Sequence, residues 1–273
     1  MNETKVCFSL VLYKHSCKSI EPLLSSIAAF ADYAPKISVL LNVYDGSPPF
    51  FPYPPETHFR QKLPNVDISF QKGPNVGFGC ANNRNFFSAR LDGSALLVVV
   101  NPDIRFSAHE LLPIVCWAFD HYFECSCVAP LVCLEGGKIQ YSAKHNPTLL
   151  SLFLGRFSFF RRFSLFRSYD SWHKNLDKDY VSDIIESTYL SGCFLVVPAW
   201  AFLCVGGFCE KYFLHIEDAD LVRRLSSVGK TLHNPIGVVE HGWARGSHSS
   251  VRQILSLLRS YLTYCMIWGI RLV

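Results

Sequence analysis

Residues Val98–Phe106 read VVVNPDIRF and close an apolar run, Leu96–Val100, that contains no polar residue. A strand with one wet face alternates apolar and polar side chains, whereas an unbroken run suits a strand buried on both faces. Asn-Pro-Asp then ends it, because proline lacks the N–H that a central strand needs. Outward from this run, Val6–Leu12, Lys36–Val43 (leading into the turn YDGS) and Val66–Phe70 are expected strands, and Ser19–Ala31 and Asn82–Ala89 are expected helices. Such alternation predicts an α/β fold with a mostly parallel central sheet and helices on both faces. Ligands in these folds collect beyond the carboxyl ends of the strands. Asn101 and Asp103 fall at that edge.

The chain has 273 residues, 49% of them apolar, enough for one large domain or a domain with an appendage. Charged residues make up only 18% and the net charge is +4, with pI near 8.4. That mild bias suits a small anionic substrate or an anionic membrane surface and does not argue for nucleic acid. Eleven cysteines sit mostly in apolar runs without a C-x-x-C pair, which points to reduced thiols rather than a zinc site or disulfide framework. The first apolar run, VCFSLVLY, is of strand length and follows both acid and base, so no leader sequence is expected. No uncharged stretch reaches the ~18 residues of a spanning helix. A cytoplasmic protein, attached at most peripherally to the inner face of the cell membrane, is the expectation.

Four stretches carry candidate chemistry. The oxygen ligands of Asn-Pro-Asp suit Mg²⁺ or Mn²⁺ on a diphosphate, although an isolated motif of this kind is most simply an Asx-type turn. GPNVGFGCANN (Gly73–Asn83) offers glycines for close backbone approach and amides at a helix start, but lacks the dinucleotide and P-loop spacings. IEDADLVRR places Glu217, Asp218 and Asp220 at the start of a helical pattern. The helix dipole explains one acid there well and three poorly, since neighbouring carboxylates repel, and repulsion raises a pKa toward the range of a general base. VVEHGWARGSHSS supplies His241 and His248, either structural or an added cation ligand. Separately, Leu149–Tyr169 mixes Phe and Leu with Arg156, Arg161, Arg162 and Arg167 and has no acid. The tail Val251–Val273 is a second basic apolar helix pattern, with Arg252, Arg259 and Arg271. Both suit interfacial helices, apolar face in lipid and guanidinium groups on phosphates; packing on the sheet or a homodimer contact is the other use of the first.

The order of these motifs resembles the family 2 glycosyltransferases of GT-A fold, in particular the rhamnosyltransferase-like enzymes of O-antigen, lipopolysaccharide and other surface polysaccharide synthesis. The resemblance covers roughly residues 5–250. It rests on YDGS, NVGFGCANN, NPD in place of a metal-binding D-x-D, and the block from Ser191 to Lys230 (with GGF, then EDAD, then Arg) followed by His241. Tyr44 stands where many relatives carry an acid or amide, and LYKHS keeps only Tyr13 of the usual Thr-Tyr-Asn.

The resemblance implies an inverting, metal-dependent transfer of a sugar, first choice L-rhamnose from dTDP-rhamnose, to a hydroxyl of a polyprenyl-diphosphate-linked glycan. It implies a GT-A domain at 1–250 (nucleotide-sugar half 1–105, acceptor and catalytic half 106–250) and a helix at 251–273. Asp103 and His241 would hold the cation, with Asn101 beside Asp103. Asp218 would be the base and Glu217 its rival. Asp45 would contact the nucleoside, Asn75, Gly77 and Asn83 would line the donor pocket, and Ser191 and Gly192 its floor. Arg156, Arg161 and Arg162 would face acceptor and membrane. The three acids would comprise one base, one orienting or metal-shell partner and one helix-start residue. A nucleotidyltransferase would need a basic glycine-rich signature that VLYKHSCKS lacks, while a non-catalytic scaffold subunit of an assembly complex is the other alternative.

Overall fold

The computed structural model describes residues 4–242 and 251–273. Its strands are β1 (Thr4–Leu12), β2 (Ile37–Asp45), β3 (Asp67–Lys72), β4 (Leu96–Val100), β5 (Ile104–Arg105), β6 (Cys125–Leu134), β7 (Ala143–Lys144), β8 (Ile185–Glu186), β9 (Tyr189–Leu190), β10 (Phe194–Pro198) and β11 (Lys230–His241). Its helices are α1 (Cys17–Tyr33), α2 (Glu56–Lys62), α3 (Phe78–Ala89), α4 (Ala108–Asp120), α5 (Leu149–Arg156), α6 (Ser164–His173), α7 (Ala199–Cys204), α8 (Glu217–Leu225) and α9 (Val251–Trp268). All strands but β7 and β9, which pair with each other, join one sheet in the order β3-β2-β1-β4-β10-β6-β11-β5, with β8 on β11.

The first four expected strands and both expected helices are present, and β3, β2, β1 and β4 run parallel. The unbroken run of β4 has the cause proposed for it. Leu96, Val98 and Val100 enter one core with α1, α2 and α4, while Leu97 and Val99 enter a second core with α3, α7 and α8. All five are fully buried, each stabilising by about 1.5–3 kcal/mol relative to exposure. The second face also holds a buried polar seam. The Ser9 hydroxyl donates to Asn82 Oδ1 (2.6 Å), and Asn85 Nδ2 donates to Ser9 Oγ (3.0 Å) and the Leu10 carbonyl (3.1 Å). This seam pins α3 on β1, since an unpaired polar group there would carry its full desolvation penalty.

Two segments depart from expectation. Leu149–Tyr169 is not one interfacial helix. Helix α5 stops after Arg156, a 3-10 turn covers Ser158–Arg162, and α6 follows. The Arg161 guanidinium folds back onto the Leu154 carbonyl (2.8 Å), satisfying an acceptor that α5 leaves open at its end. The tail helix α9 is no free appendage either. Tyr261 and Tyr264 pack with Tyr212, Ile216 and Ala219, and the Leu149 N–H donates to the Arg271 carbonyl (3.1 Å). No described helix is long and apolar enough to cross a membrane. Because β4 is buried on both faces, Val98→Thr and Val99→Thr should each lower stability by about 1–3 kcal/mol in urea unfolding. A one-sided sheet would tolerate one of the two.

Candidate active site

The carboxyl end of β4 is where distant segments meet. The Asn101 N–H donates to the Cys193 carbonyl (2.9 Å), and Phe194 pairs with Val100 as β10 runs antiparallel to β4. Ser191–Cys193 therefore lies beside the Asn-Pro-Asp turn. On the other side His241 pairs with Ile104, and the Gly242 N–H donates to the Asp103 carbonyl (2.8 Å). A cleft of about 630 Å³ opens here, lined among others by Asn101, Ser191, Gly192, Glu217, Asp218 and His241.

His241 Nε2 stands 3.2 Å from Asp103 Oδ1, and His241 Nδ1 stands 2.7 Å from Gln140 Oε1. The amide oxygen of Gln140 requires the proton on Nδ1, leaving Nε2 of the neutral ring as a lone pair facing a carboxylate oxygen. Two acceptors at that distance need something positive against them, either a second ring proton or a cation. Burial opposes ionisation of Asp103, but the hydrogen bond and charge of His241 hold its carboxyl below the ordinary value. His15 lies close enough to Asp103 and Asp45 for both to raise its pKa, although burial wins and lowers it. No cluster of three or more His, Cys, Asp or Glu forms a cation cage among the described residues. A carboxylate and an imidazole nevertheless suit Mg²⁺ or Mn²⁺, which keep several positions for water and substrate phosphate.

The three acids have three different surroundings. The Phe213–Ile216 loop enters α8 with His215 and Ile216 both left-handed, at φ 72° and 68°, strained for a β-branched residue. Asp218 faces the cleft with Oδ2 accepting the Gly192 N–H (2.9 Å) and Oδ1 the Ala219 N–H (2.9 Å). A Cβ on residue 192 would sit 2.9 Å from the Asp218 Cβ, so only glycine admits this approach. Glu217 is buried with Oε2 unpartnered. Burial first, and then the Asp218 charge, push its pKa well above the carboxylate range. Asp220 is wholly buried and committed elsewhere. Arg224 Nε (2.9 Å) and Nη2 (2.8 Å) donate to its Oδ2, and Trp268 Nε1 donates to its Oδ1 (2.8 Å). Arg224 Nη1 in turn holds the Val205 and Gly207 carbonyls, both at 2.7 Å.

The other expected site residues divide. Asp45 is fully buried, its oxygens engaged by the Ser47 N–H (2.9 Å) and Lys72 Nζ (3.2 Å). Asn75 Oδ1 accepts the Gly77 N–H (3.1 Å), and Gly77 at φ 89° lets the Phe213 carbonyl take the Phe78 N–H (3.1 Å). Asn83 is not at the cleft: its amide is engaged by the Phe208 backbone (2.8 and 2.9 Å) and Glu210 (3.1 Å). Tyr44 supports the Pro74 carbonyl (2.8 Å). Arg161 lines the cleft and Arg156 an adjoining cavity, while Arg162 lies exposed over the Phe159 ring. His248 lies outside the described residues. The sequence reading missed Gln140, Lys144 and Lys174, all on the cleft wall. It also passed over the i, i+4 spacing of Asp220 and Arg224, a signal that could have set Asp220 apart.

Two stability outcomes follow from the acids. Asp220→Asn leaves the half-buried Arg224 against a neutral group and should cost about 1–3 kcal/mol in urea unfolding. Glu217 in the fold keeps a proton that the unfolded chain releases near pH 4.5, so stability falls as pH rises from there to the raised folded value. Glu217→Gln should therefore stabilise the protein at pH 8 relative to wild type, with the difference shrinking toward pH 4.

No family model matches the chain. Among curated proteins it is similar to N-acetylglucosaminyl-diphospho-decaprenol L-rhamnosyltransferase of two Mycobacterium tuberculosis strains, CDC 1551 / Oshkosh and ATCC 25618 / H37Rv. Identity is 28%, over 74% of this chain and 66% of each relative's length. Among solved structures, GalNAc-T7 with UDP, GalNAc and Mn²⁺ superposes with TM-score 0.65 at 14% identity, over 98% of this chain and 48% of that one. The mannosyltransferase PcManGT of Pyrobaculum calidifontis with GDP-Man and Mn²⁺ gives 0.59 at 15%, over 96% and 64%. S. aureus TarS 1-349 gives 0.55 at 15%, over 87% and 60%. The chain has the GT-A fold, and its sequence is similar to that of the L-rhamnosyltransferases named above.

Proposed function

We propose that the chain transfers a sugar from a nucleoside-diphosphate donor to a hydroxyl of a polyprenyl-diphosphate-linked glycan, with inversion at the anomeric carbon. The observation that carries the reading is that His241, with Asp103 against its ring, and the oriented carboxylate of Asp218 line one cleft. The name of the curated relatives motivates L-rhamnose as the sugar, with dTDP-rhamnose as donor and an N-acetylglucosaminyl diphosphate lipid as acceptor.

Asp218 accepts the acceptor hydroxyl proton as the new O–C1 bond forms and the bond from C1 to the diphosphate breaks, releasing the nucleoside diphosphate. The Gly192 and Ala219 N–H groups fix the direction of that carboxylate before substrate arrives. Asp103 and His241, steered by Gln140, would hold a divalent cation, whose chemistry is to neutralise charge on the departing diphosphate. Residues 1–105 serve the donor, 106–250 serve acceptor and catalysis, and α9 within 251–273 braces the acid loop through Ser260 Oγ on the Leu214 carbonyl (2.8 Å). Exposed Phe153, Phe157, Phe159 and Phe163, with Arg156 and Arg162 beside them, support a membrane-facing surface.

Donor binding tests the reading directly. Calorimetry with a panel of nucleoside-diphosphate sugars should find one that binds only with Mn²⁺ or Mg²⁺ and is lost in Asp103→Ala. Asp218→Asn should bind that donor nearly as wild type does yet lose about 10²–10⁴-fold in kcat. Full activity in Asp218→Asn with loss in Glu217→Gln would move the base to Glu217.

A further inference from the structure

Beside the cleft lies a second cavity of about 260 Å³, enclosed by α5, α6, the β7–β9 pair and α9, and sharing Lys144, Arg161, Lys174 and Tyr189 with the cleft wall. Its lining carries four cations, Lys144, Lys174, Arg156 and Arg161, against one carboxylate, Asp170. Asp170 is already divided between Lys174 Nζ (2.6 Å) and Arg161 Nε (3.4 Å). Lys144 and Arg156 have no carboxylate within ion-pair distance among the described residues, and Lys144 has only the face of Tyr189, 5.1 Å from the ring centroid. Arg156 is exposed, but a half-buried cation such as Lys144 without an ion-pair partner is costly unless an anion comes to it.

A buried imidazole adds a second, independent sign. His173 is 7% exposed, lines the same cavity, and its Nδ1 has no hydrogen-bond partner. Burial, and then Lys144, His145 and Lys174, push its pKa to about 3, so it adds no charge and offers a neutral polar atom. Lys144 links this cavity to the chemistry. Burial lowers its pKa, the Asp218 charge opposes that shift, and Lys174 reinforces it.

We infer that this cavity is the seat of the acceptor's diphosphate, gripped by Lys144, Lys174, Arg156 and Arg161 without a metal ion. The inference rests on the transferase reading above and adds the anionic subsite. A diphosphate linking a sugar to a lipid carries two negative charges, against a net surplus of three positive charges in the lining. It sits one sugar ring from the hydroxyl presented to Asp218, which matches a cation wall that begins at Lys144 on the cleft and continues into the cavity. Exposed Phe153, Phe157 and Leu255 on the flanking helices offer the lipid an apolar path out.

The test uses the full chain with inorganic pyrophosphate as probe, titrated calorimetrically in EDTA so that no cation-dependent donor site contributes. Wild type should bind, and Lys144→Met, Lys174→Met and the exposed Arg156→Gln should each weaken binding by about tenfold or more. Lys144→Arg should retain it, and Arg90→Gln, away from the cavity, should not alter it. In turnover, each weakened variant should lose a similar factor of preference for a short-prenyl N-acetylglucosaminyl diphosphate over a neutral alkyl N-acetylglucosaminide, with the donor KM unmoved. Unchanged pyrophosphate binding in the variants, or a rise in donor KM instead, overturns the inference. Displacement of pyrophosphate by phosphatidylglycerol vesicles with no loss of acceptor preference overturns it too, assigning the cavity to lipid headgroups. Absence of turnover with any donor counts against the transferase reading alone, because pyrophosphate binding is read without turnover.

Discussion

Strand β10 runs against both of its neighbours, and the site depends on that reversal. A parallel strand between β4 and β6 would bring its carboxyl end to the ligand edge. The antiparallel one brings its start, so that Cys193 pairs with Asn101 and Gly192 stands at the mouth of the cleft. The missing side chain at Gly192 then admits Asp218, whose carboxylate is held by the Gly192 N–H. One strand direction and one absent methyl group thus set where the acid chain segment meets the strand that carries Asp103.

What keeps α8 in place is the buried carboxylate of Asp220 with its partners Arg224 and Trp268. It binds the helix to the Gly206–Gly207 turn on one side and to α9 on the other. The Phe213–Ile216 loop needs such bracing, because two consecutive left-handed non-glycine residues are unfavourable by about 1–3 kcal/mol each. The Phe78 N–H on the Phe213 carbonyl and Ser260 on the Leu214 carbonyl supply it from two directions. Strain in the loop and rigidity around it are two sides of one arrangement, which presents Asp218 to the cleft while Glu217 is buried.

The first half of the fold was legible because burial on both faces writes itself into consecutive residues, as in Leu96–Val100. The direction of β10 was not, since Phe194–Pro198 is an apolar run of the same kind and carries no mark of its neighbours. Asn101, Ser191, Gly192, Asp218 and His241, which a family pattern ordered as candidates, line one cleft, and Asp103 stands against His241. Asn83 does not line this cleft, and its amide clamps the Phe208–Glu210 segment. An amide at a helix start serves equally to bind a ligand or to clamp a neighbouring loop, and only the Phe208 contacts distinguish the two. Gln140 and Lys144 had no local signal at all; the two-residue pairing of β7 with β9 brings Lys144 to the wall.

The two ends of the cleft treat negative charge in opposite ways. At the Asp103 end the protein offers a carboxylate beside the His241 imidazole, and a carboxylate admits a diphosphate only through a cation. At the Lys144 end the positive charge is covalently fixed and already assembled. Two diphosphates of similar chemistry would therefore be sorted by the kind of support each requires. In the proposed reading a fixed cation wall would also repel a second divalent ion, leaving a donor cation one place to sit. In that reading, separation of the two anions by the length of a sugar would place the receiving hydroxyl at Asp218, between them. Charge sorting of this kind would give a use to a lysine without an ion-pair partner so near the proposed base.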